Sequence, residues 1–197
     1  AWVKGLQEQG LRVRGVIGSS KDGKRQLSLI SSGETRMLQL NEVESEDKAS
    51  MAERRAPGVT LTADNAELLS TKAKEWAAAN PQVKGEVVGP FVFDGEVLQW
   101  GREELTQAAA QGADCVVVDE AGPLEVKRGA GLEPALSKEV APISGAACVV
   151  IVCRDSLKSI LKVSLKGKAG PGARFLEGFP PRPTVPRSVP APRGSPK

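Results

Sequence analysis

Helical and strand-like periods alternate along the chain. Near its start, Trp2, Val3 and Leu6 recur at helical spacing, and Gly10 stands where a helix would stop. Residues 11–20 then alternate polar and apolar side chains before a glycine-and-serine turn, which is typical of a strand. The sequence therefore predicts the back half of a helix followed by a strand.

A hairpin and a charged segment come next. Two short runs, residues 25–31 and 35–40, flank a turn at 32–34 and predict an antiparallel hairpin at the edge of a sheet. Residues 41–58 carry many charges and few apolar positions, so we expect a solvated surface loop there.

Two amphipathic helices are predicted in the middle of the chain. Residues 64–80 gather alanine, leucine and tryptophan on one face. Residues 85–94 form a strand-like run that is broken by Gly89-Pro90. Asp94 can cap a second helix, which ends at Gly112.

Two later stretches, residues 115–118 and 146–153, are rich in valine and lack the alternation of a half-exposed strand. Parallel strands that are buried on both faces have this pattern. A short helix is predicted near 131–140, and another from 155 or 156 to about 163. The predicted fold is therefore α/β, a three-layer, mostly parallel sheet with an antiparallel hairpin.

Composition and charge divide the chain into a domain and a tail. At 197 residues with 40% hydrophobic content, it is long enough for one domain, which we place at residues 1–165. Residues 166–197 hold eight prolines and are predicted to be a disordered, basic, Pro-rich tail. Seven basic residues against one acid give the tail a charge of +6; since the whole chain carries +3, the domain carries −3.

These charges and the hydropathy limit the partners. An acidic domain with few aromatic residues offers neither a basic stripe nor a stacking surface, so we expect no nucleic-acid partner. The sequence has no apolar run near 18 residues and no secretory leader, so we expect a cytoplasmic protein with no membrane partner.

The residue types restrict the chemistry. Histidine is absent, which argues against serine-histidine hydrolases and most zinc enzymes. The three cysteines lie in valine-rich stretches without the spacing of a metal cluster, and we expect buried, reduced thiols. Catalysis would have to use carboxylates, lysine, arginine or a hard cation.

An acidic pair, Asp119-Glu120, follows the valine run at 115–118. In open parallel sheets ligands bind beyond the carboxyl ends of the strands, so these carboxylates would face the ligand crevice. The aspartate could hold Mg²⁺ and the glutamate could orient a water molecule toward a γ-phosphate. The alternative is a polar pair that merely ends a strand.

The segment Asp-Glu-Ala-Gly-Pro-Leu-Glu at 119–125, with the runs at 86–98 and 149–157, resembles the nucleoside-triphosphatase family of thermophiles and animals, the cancer-related type, a branch of the P-loop hydrolases. The resemblance covers roughly residues 1–163. It implies that Asp119 is the Walker B metal ligand for Mg²⁺ and that Glu120 is the catalytic, water-positioning acid.

The resemblance also implies roles for the neighbouring residues. Gly122 and Pro123 would shape the turn at the bound nucleotide, and Glu125 would orient an arginine or a water molecule near the phosphates. The alternative is that Glu125 is an acid in a loop, exposed to solvent and without such a role. Arg154 stands just past the second valine-rich strand and could neutralise charge in the transition state, unless it is an ordinary surface arginine.

The chain departs from the family at its phosphate loop. No segment has the form Gly-x-x-x-x-Gly-Lys-[Ser/Thr] whose backbone amides cradle phosphates. Residues 18–25 carry glycine and lysine, but they follow a strand and lead to a hairpin, so we reject them as the loop. We expect that the loop and the first strand precede Ala1 and that their loss leaves strand edges unpaired; a degenerate protein is the alternative.

Three functions remain open from the sequence. The first is a nucleoside-triphosphatase that hydrolyses NTP to NDP and phosphate, with this chain carrying the Walker B half. The second is a non-catalytic nucleotide-binding or regulatory domain. The third is an interaction module, because residues 180–186 have the Pro-x-x-Pro spacing that polyproline-recognition domains bind.

Overall fold

A computed structural model describes residues 2–42, 63–143, 148–170 and 178; of residues 41, 42, 63–66, 69 and 120 it describes the backbone alone. The helices are α1 (Trp2–Glu8), α2 (Ala63–Ala79), α3 (Gly95–Ala110), α4 (Pro123–Arg128), α5 (Glu133–Ala135), which continues into a π-helical segment (Leu136–Val140), and α6 (Asp155–Lys166). The strands are β1 (Val13–Lys21), β2 (Lys24–Leu29), β3 (Thr35–Met37), β4 (Gln39–Glu42), β5 (Gly85–Val88), β6 (Phe91–Asp94), β7 (Cys115–Ala121) and β8 (Cys148–Cys153).

The main sheet has five strands in the order β3-β2-β1-β7-β8. Strands β1, β7 and β8 run parallel, and β2 and β3 continue the sheet antiparallel. The predicted α/β class is therefore confirmed, and the edge hairpin is confirmed up to residue 37, whereas residues 39 and 40 begin a strand of another sheet. Residues 18–25 complete β1, turn and enter β2, so they open no helix.

A second sheet corrects the interpretation of residues 85–94. Strands β4, β6 and β5 form an antiparallel sheet of their own, and β5 and β6 pair with each other across Gly89-Pro90. Gly89 has a φ of +58°, a left-handed conformation that glycine adopts without strain, so the chain reverses there. The run is thus a hairpin and not one interrupted strand.

Both faces of β7 are covered, which explains its uninterrupted valines. Cys115 and Val117 pack with Leu6 of α1 on one face. Val116 and Val118 belong to the larger core on the other face, which α3, the π-helical segment and α6 complete. Successive strand residues point to opposite faces, so every position from 115 to 118 is apolar.

One buried carboxylate joins the helical layer to the sheet. Glu104 of α3 accepts hydrogen bonds from Arg14 Nε (3.1 Å) and Nη2 (2.8 Å), from the Gly15 amide (3.3 Å) and from the Ser31 hydroxyl (2.9 Å). Its side chain is only 2% exposed. A buried charge is tolerated when it is paired and hydrogen-bonded in this way.

The last helix is longer than predicted. Helix α6 begins at Asp155 as expected but continues to Lys166, because Leu157, Leu161 and Leu165 repeat every four residues and are all buried. After α6 the chain stays in contact with the domain, since the Gly170 amide donates to the Ala141 carbonyl (3.3 Å).

Two predicted segments, the charged segment and the Pro-rich tail, lie largely outside the described residues. From residue 43 onward the charged segment 41–58 lies outside the described residues, as does the Pro-rich tail except for residues 166–170 and 178. Within the described part of the chain, no helix is long and apolar enough to cross a membrane.

Strand β8 ends the main sheet on one side. Strand β7 pairs with both β1 and β8, so in the described sheet neither edge of β7 is left unpaired. This edge strand carries two exposed apolar side chains, Val149 and Val152, which are 37% and 45% exposed. An apolar edge strand favours pairing with a second copy of the same edge.

We predict that Val152→Lys weakens self-association of the chain by about tenfold or more, because a lysine on an edge strand disfavours pairing with another edge. Sedimentation equilibrium measures the effect. Val163→Lys is the matched control, since Val163 is 77% exposed on a helix and not on the sheet edge. An equal effect of both substitutions would contradict pairing through β8.

We predict that Glu104→Ala lowers the free energy of unfolding by about 3 kcal/mol, because it leaves the Arg14 guanidinium, 15% exposed, without its counter-charge. Urea denaturation measures the loss. Glu103→Ala, on the exposed side of the same helix, should stay within about 0.5 kcal/mol of the unmodified chain. A loss below about 1 kcal/mol at Glu104 would contradict the structural role of this carboxylate.

Candidate functional site

The acidic pair lies in a bulge of β7. Val118 pairs with Ile151 and Ala121 pairs with Cys153, so the two acids, Asp119 and Glu120, stand opposite Val152 alone. One extra residue on a strand changes the direction of the local side chains, and such bulges are frequent beside functional sites. The acids therefore occupy the two positions before Ala121, the last residue of β7, so the strand continues one residue beyond the pair with which the sequence predicted it to end.

The bulge lies at the end of the parallel strands where ligands of open sheets bind. Strand β7 lies between β1 and β8, which both run parallel to it. The bulge is in the carboxyl-terminal half of β7, and Asp119 is partly exposed. Ligands of open parallel sheets bind at this end of the strands.

The turn after β7 is built by Gly122 and Pro123. Gly122 is extended (φ −100°, ψ −169°) and is the N-cap of α4, and Pro123 is the first helical residue. Proline suits this position because its missing amide would have no helical partner there. The sequence did not predict this helix, which is only one and a half turns long.

Glu125 is neither solvated nor directed at an open crevice. Its Oε2 accepts from the Gly122 amide (2.8 Å) and its Oε1 accepts from the Leu132 amide (3.1 Å). The residue is 7% exposed, so the alternative of a solvated loop acid is wrong. These bonds fix the start of α4 and the loop that follows it.

Burial sets the ionisation of Glu125. Desolvation raises the pKa of this carboxyl group, and the negative charge of Glu86 raises it further, while the amide hydrogen bonds act in the opposite direction. A carboxyl group that is easier to protonate than usual thus lies directly beneath the turn at 122–123.

Arg154 reaches the same edge of the sheet. It directly follows Cys153, the partner of Ala121, as Gly122 directly follows Ala121, so both residues lie just beyond the last paired position of the two strands. It is exposed and is the N-cap residue of α6, without a capping bond from its side chain. Arg154 and residues 119–123 thus lie at the same end of the paired strands β7 and β8.

The described side chains hold no cluster of three or more histidine, cysteine, aspartate or glutamate residues that could enclose a metal ion. Magnesium does not require such a cluster, since it is commonly held by one or two carboxylates together with water and phosphate oxygens. Asp119 fits that kind of site, as one partly exposed carboxylate at the ligand end of a parallel strand.

Sequence reasoning missed a second group of charges, which meets at Gly131. Arg102 Nη1 donates to the Gly131 carbonyl (2.6 Å), and Glu86 accepts from the Gly131 amide (3.1 Å). Arg102 also forms an ion pair with Glu86 (3.8 Å). Two open cavities of about 540 and 680 Å³ adjoin Arg102 and α3, away from the acidic pair. Nothing in the spacing of these residues along the chain indicates that they meet.

Comparison of the chain with family models, with curated proteins and with solved structures gives no match. The resemblance to nucleoside-triphosphatases therefore depends on the sequence segments at 86–98, 119–125 and 149–157 alone.

We predict that the free energy of unfolding falls as pH rises through the raised pKa of Glu125. The folded state binds this proton more tightly than the unfolded state, so the contribution is complete below the pKa of the unfolded chain and is lost above that of the folded one. Glu125→Gln removes the titration. Urea denaturation from pH 4 to pH 7 should show the unmodified chain losing stability relative to Glu125→Gln, and a relative gain would contradict the prediction.

Proposed function

We propose that the edge formed by the bulge of β7 and the end of β8 is the metal-binding and water-positioning half of a nucleoside-triphosphatase site. The substrate would be a Mg²⁺-bound nucleoside triphosphate, and the products would be the diphosphate and phosphate. The observation that carries this proposal is the placement of Asp119 and Glu120 in a bulge on a parallel strand flanked by two others.

Asp119 would hold the cation through an oxygen ligand, the type that Mg²⁺ prefers. Magnesium, when bound, would neutralise charge that builds up on the phosphate oxygens. Glu120 would hold the attacking water molecule in line with the phosphorus atom, which is the main contribution that a protein makes in phosphoryl transfer.

Arg154 would bind the phosphate oxygens. Its exposed side chain follows the end of β8, and a guanidinium can bind phosphate oxygens through two parallel hydrogen bonds. Glu125 would act indirectly, by fixing the Gly122–Pro123 turn. This differs from the sequence-based hypothesis, in which Glu125 orients an arginine or a water molecule.

A specific observation favours a second candidate, a non-catalytic nucleotide-binding domain. The 197 residues contain no glycine-rich phosphate loop, and without its amides and lysine the β- and γ-phosphates lack their main binding groups. For the hydrolase, the loop would have to come from a segment upstream of Ala1. The two candidates therefore differ in a sequence that can be read directly.

The test starts with the codons upstream of Ala1 and uses the protein that they encode together with this chain. A Gly-x-x-x-x-Gly-Lys-[Ser/Thr] segment opening a helix is expected there. In that protein Glu120→Gln should lower Mg²⁺-dependent phosphate release by about 100-fold or more and leave nucleotide binding intact. Asp119→Asn should weaken binding of the Mg²⁺ complex but not of the metal-free nucleotide.

Asp114→Asn is the matched control. Asp114 lies just before β7, at the opposite end of the strand, and is paired with Arg12 at 3.1 Å. Phosphate release should stay within about twofold of the unmodified protein, because an exposed ion pair contributes about 1 kcal/mol or less and lies far from the crevice. Nucleotide binding without phosphate release in the unmodified protein would favour the non-catalytic domain, and absence of both would exclude both candidates.

A further inference from the structure

Two cysteines face each other across the strands β7 and β8. Cys115 and Cys148 are paired in the parallel register, and both side chains belong to the core cluster beneath α1. Neighbouring strands lie about 4.8 Å apart. Disulfides form between Cα atoms about 4.4 to 6.8 Å apart, so this pair meets the distance requirement with both side chains on the same face.

The two thiols differ in their surroundings. Cys115 is 1% exposed, whereas Cys148 is partly exposed. The hydrogen bond between the two sulfurs lowers the pKa of Cys148 to about 7, against the opposing effect of burial. The same hydrogen bond, burial and the charge of Asp114 raise the pKa of Cys115. The more exposed sulfur is thus the more nucleophilic one, and its neighbour carries the proton.

We propose that Cys115 and Cys148 are a peroxide-sensitive dithiol, in which Cys148 is oxidised first and Cys115 then closes a disulfide. The observations that carry the proposal are the shared register, the shared face and the difference in exposure. Neither residue belongs to the candidate hydrolase site, because both lie at the amino ends of their strands and the acidic bulge lies near the carboxyl end of β7.

The chemistry balances with hydrogen peroxide as the oxidant. The Cys148 thiolate attacks one peroxide oxygen, the O–O bond breaks, and the released hydroxide takes a proton to leave as water; Cys148 becomes a sulfenic acid. The Cys115 sulfur then attacks the Cys148 sulfur, the S–O bond breaks, and the hydroxyl group leaves as a second water molecule with the Cys115 proton. Two thiols and one peroxide thus give one disulfide and two water molecules.

The third cysteine provides a matched control within the same strand. Cys153 lies against the other core cluster, on the opposite face of the sheet from Cys148. Burial and the charge of Asp155 raise its pKa. A general sensitivity of buried thiols to peroxide would therefore affect Cys153 as well, and the proposed mechanism would not.

The test treats the reduced, folded 197-residue chain with one equivalent of hydrogen peroxide, alkylates the remaining thiols and maps the peptides by mass spectrometry. A cross-link between the peptide containing Cys115 and the peptide containing Cys148 is expected, with one thiol left to alkylate. Trypsin leaves Cys148 and Cys153 together on residues 139–154, so the Cys153→Ser variant, which should give the same cross-link, assigns the partner.

Two further measurements separate the proposed order of events from random oxidation. Cys115→Ser should stop at a sulfenic acid on Cys148 that dimedone traps. The rate of oxidation in the unmodified chain should rise through pH of about 7. Unreacted Cys115 and Cys148 under conditions that oxidise a free thiol peptide, or a cross-link that disappears in Cys153→Ser, would overturn the proposal.

Discussion

The contact between α3 and β1 through the Glu104 carboxylate determines how the rest of the domain is arranged. A carboxylate that is taken out of water must receive several hydrogen bonds, and here a guanidinium, a backbone amide and a hydroxyl group supply them. Its three donors belong to β1 and to the turn after β2. The carboxylate therefore fixes the helix against the sheet at one register, whereas apolar packing alone would allow it to slide.

The strand held by this contact also positions the acidic pair. Gly15, whose amide binds Glu104, has a φ of +123°, and a Cβ atom at this position would collide with the Val117 carbonyl. Glycine thus permits β1 to approach β7 closely, and the parallel pairing runs from Val13 to Val16. Beyond that paired region, β7 bulges at Asp119 and Glu120. The regular pairing of β7 with β1 thus ends immediately before the two acids of the candidate site.

The sequence predicted those parts of the fold that have a strong period. The valine run at 115–118, the amphipathic face of α3 and the hairpin of β2 and β3 each repeat a pattern over several residues, and the structure confirms them. Strands β5 and β6 have four residues each, too few to separate a hairpin from one interrupted strand. Only a weak pattern in the sequence points to Glu104: this acid lies on the apolar face of α3, four residues before Ala108.

The candidate site was predictable in its location but not in its details. Strand order alone places Arg154 at the same end of the sheet as residues 119–123, because the carboxyl ends of neighbouring parallel strands lie at the same end of a sheet. The burial of Glu125 depends on the Leu132 amide, seven residues further along a loop that no local pattern specifies. Tertiary contacts of this kind leave no period in the sequence, so only coordinates reveal them.

The bulge has a consequence for how this segment tolerates change. Two residues of β7 stand against one of β8, so the chain enters the Gly122 turn shifted by one strand position relative to regular pairing. Substitutions within the bulge alter chemistry but keep that shift. Deleting one of the two bulge residues would restore regular pairing with Ala121 still opposite Cys153, so Ala121 would stay in the core and one of the two adjacent acids would be lost. The sheet can therefore accommodate a shorter β7, whereas two adjacent acids at this point of the strand require the extra residue.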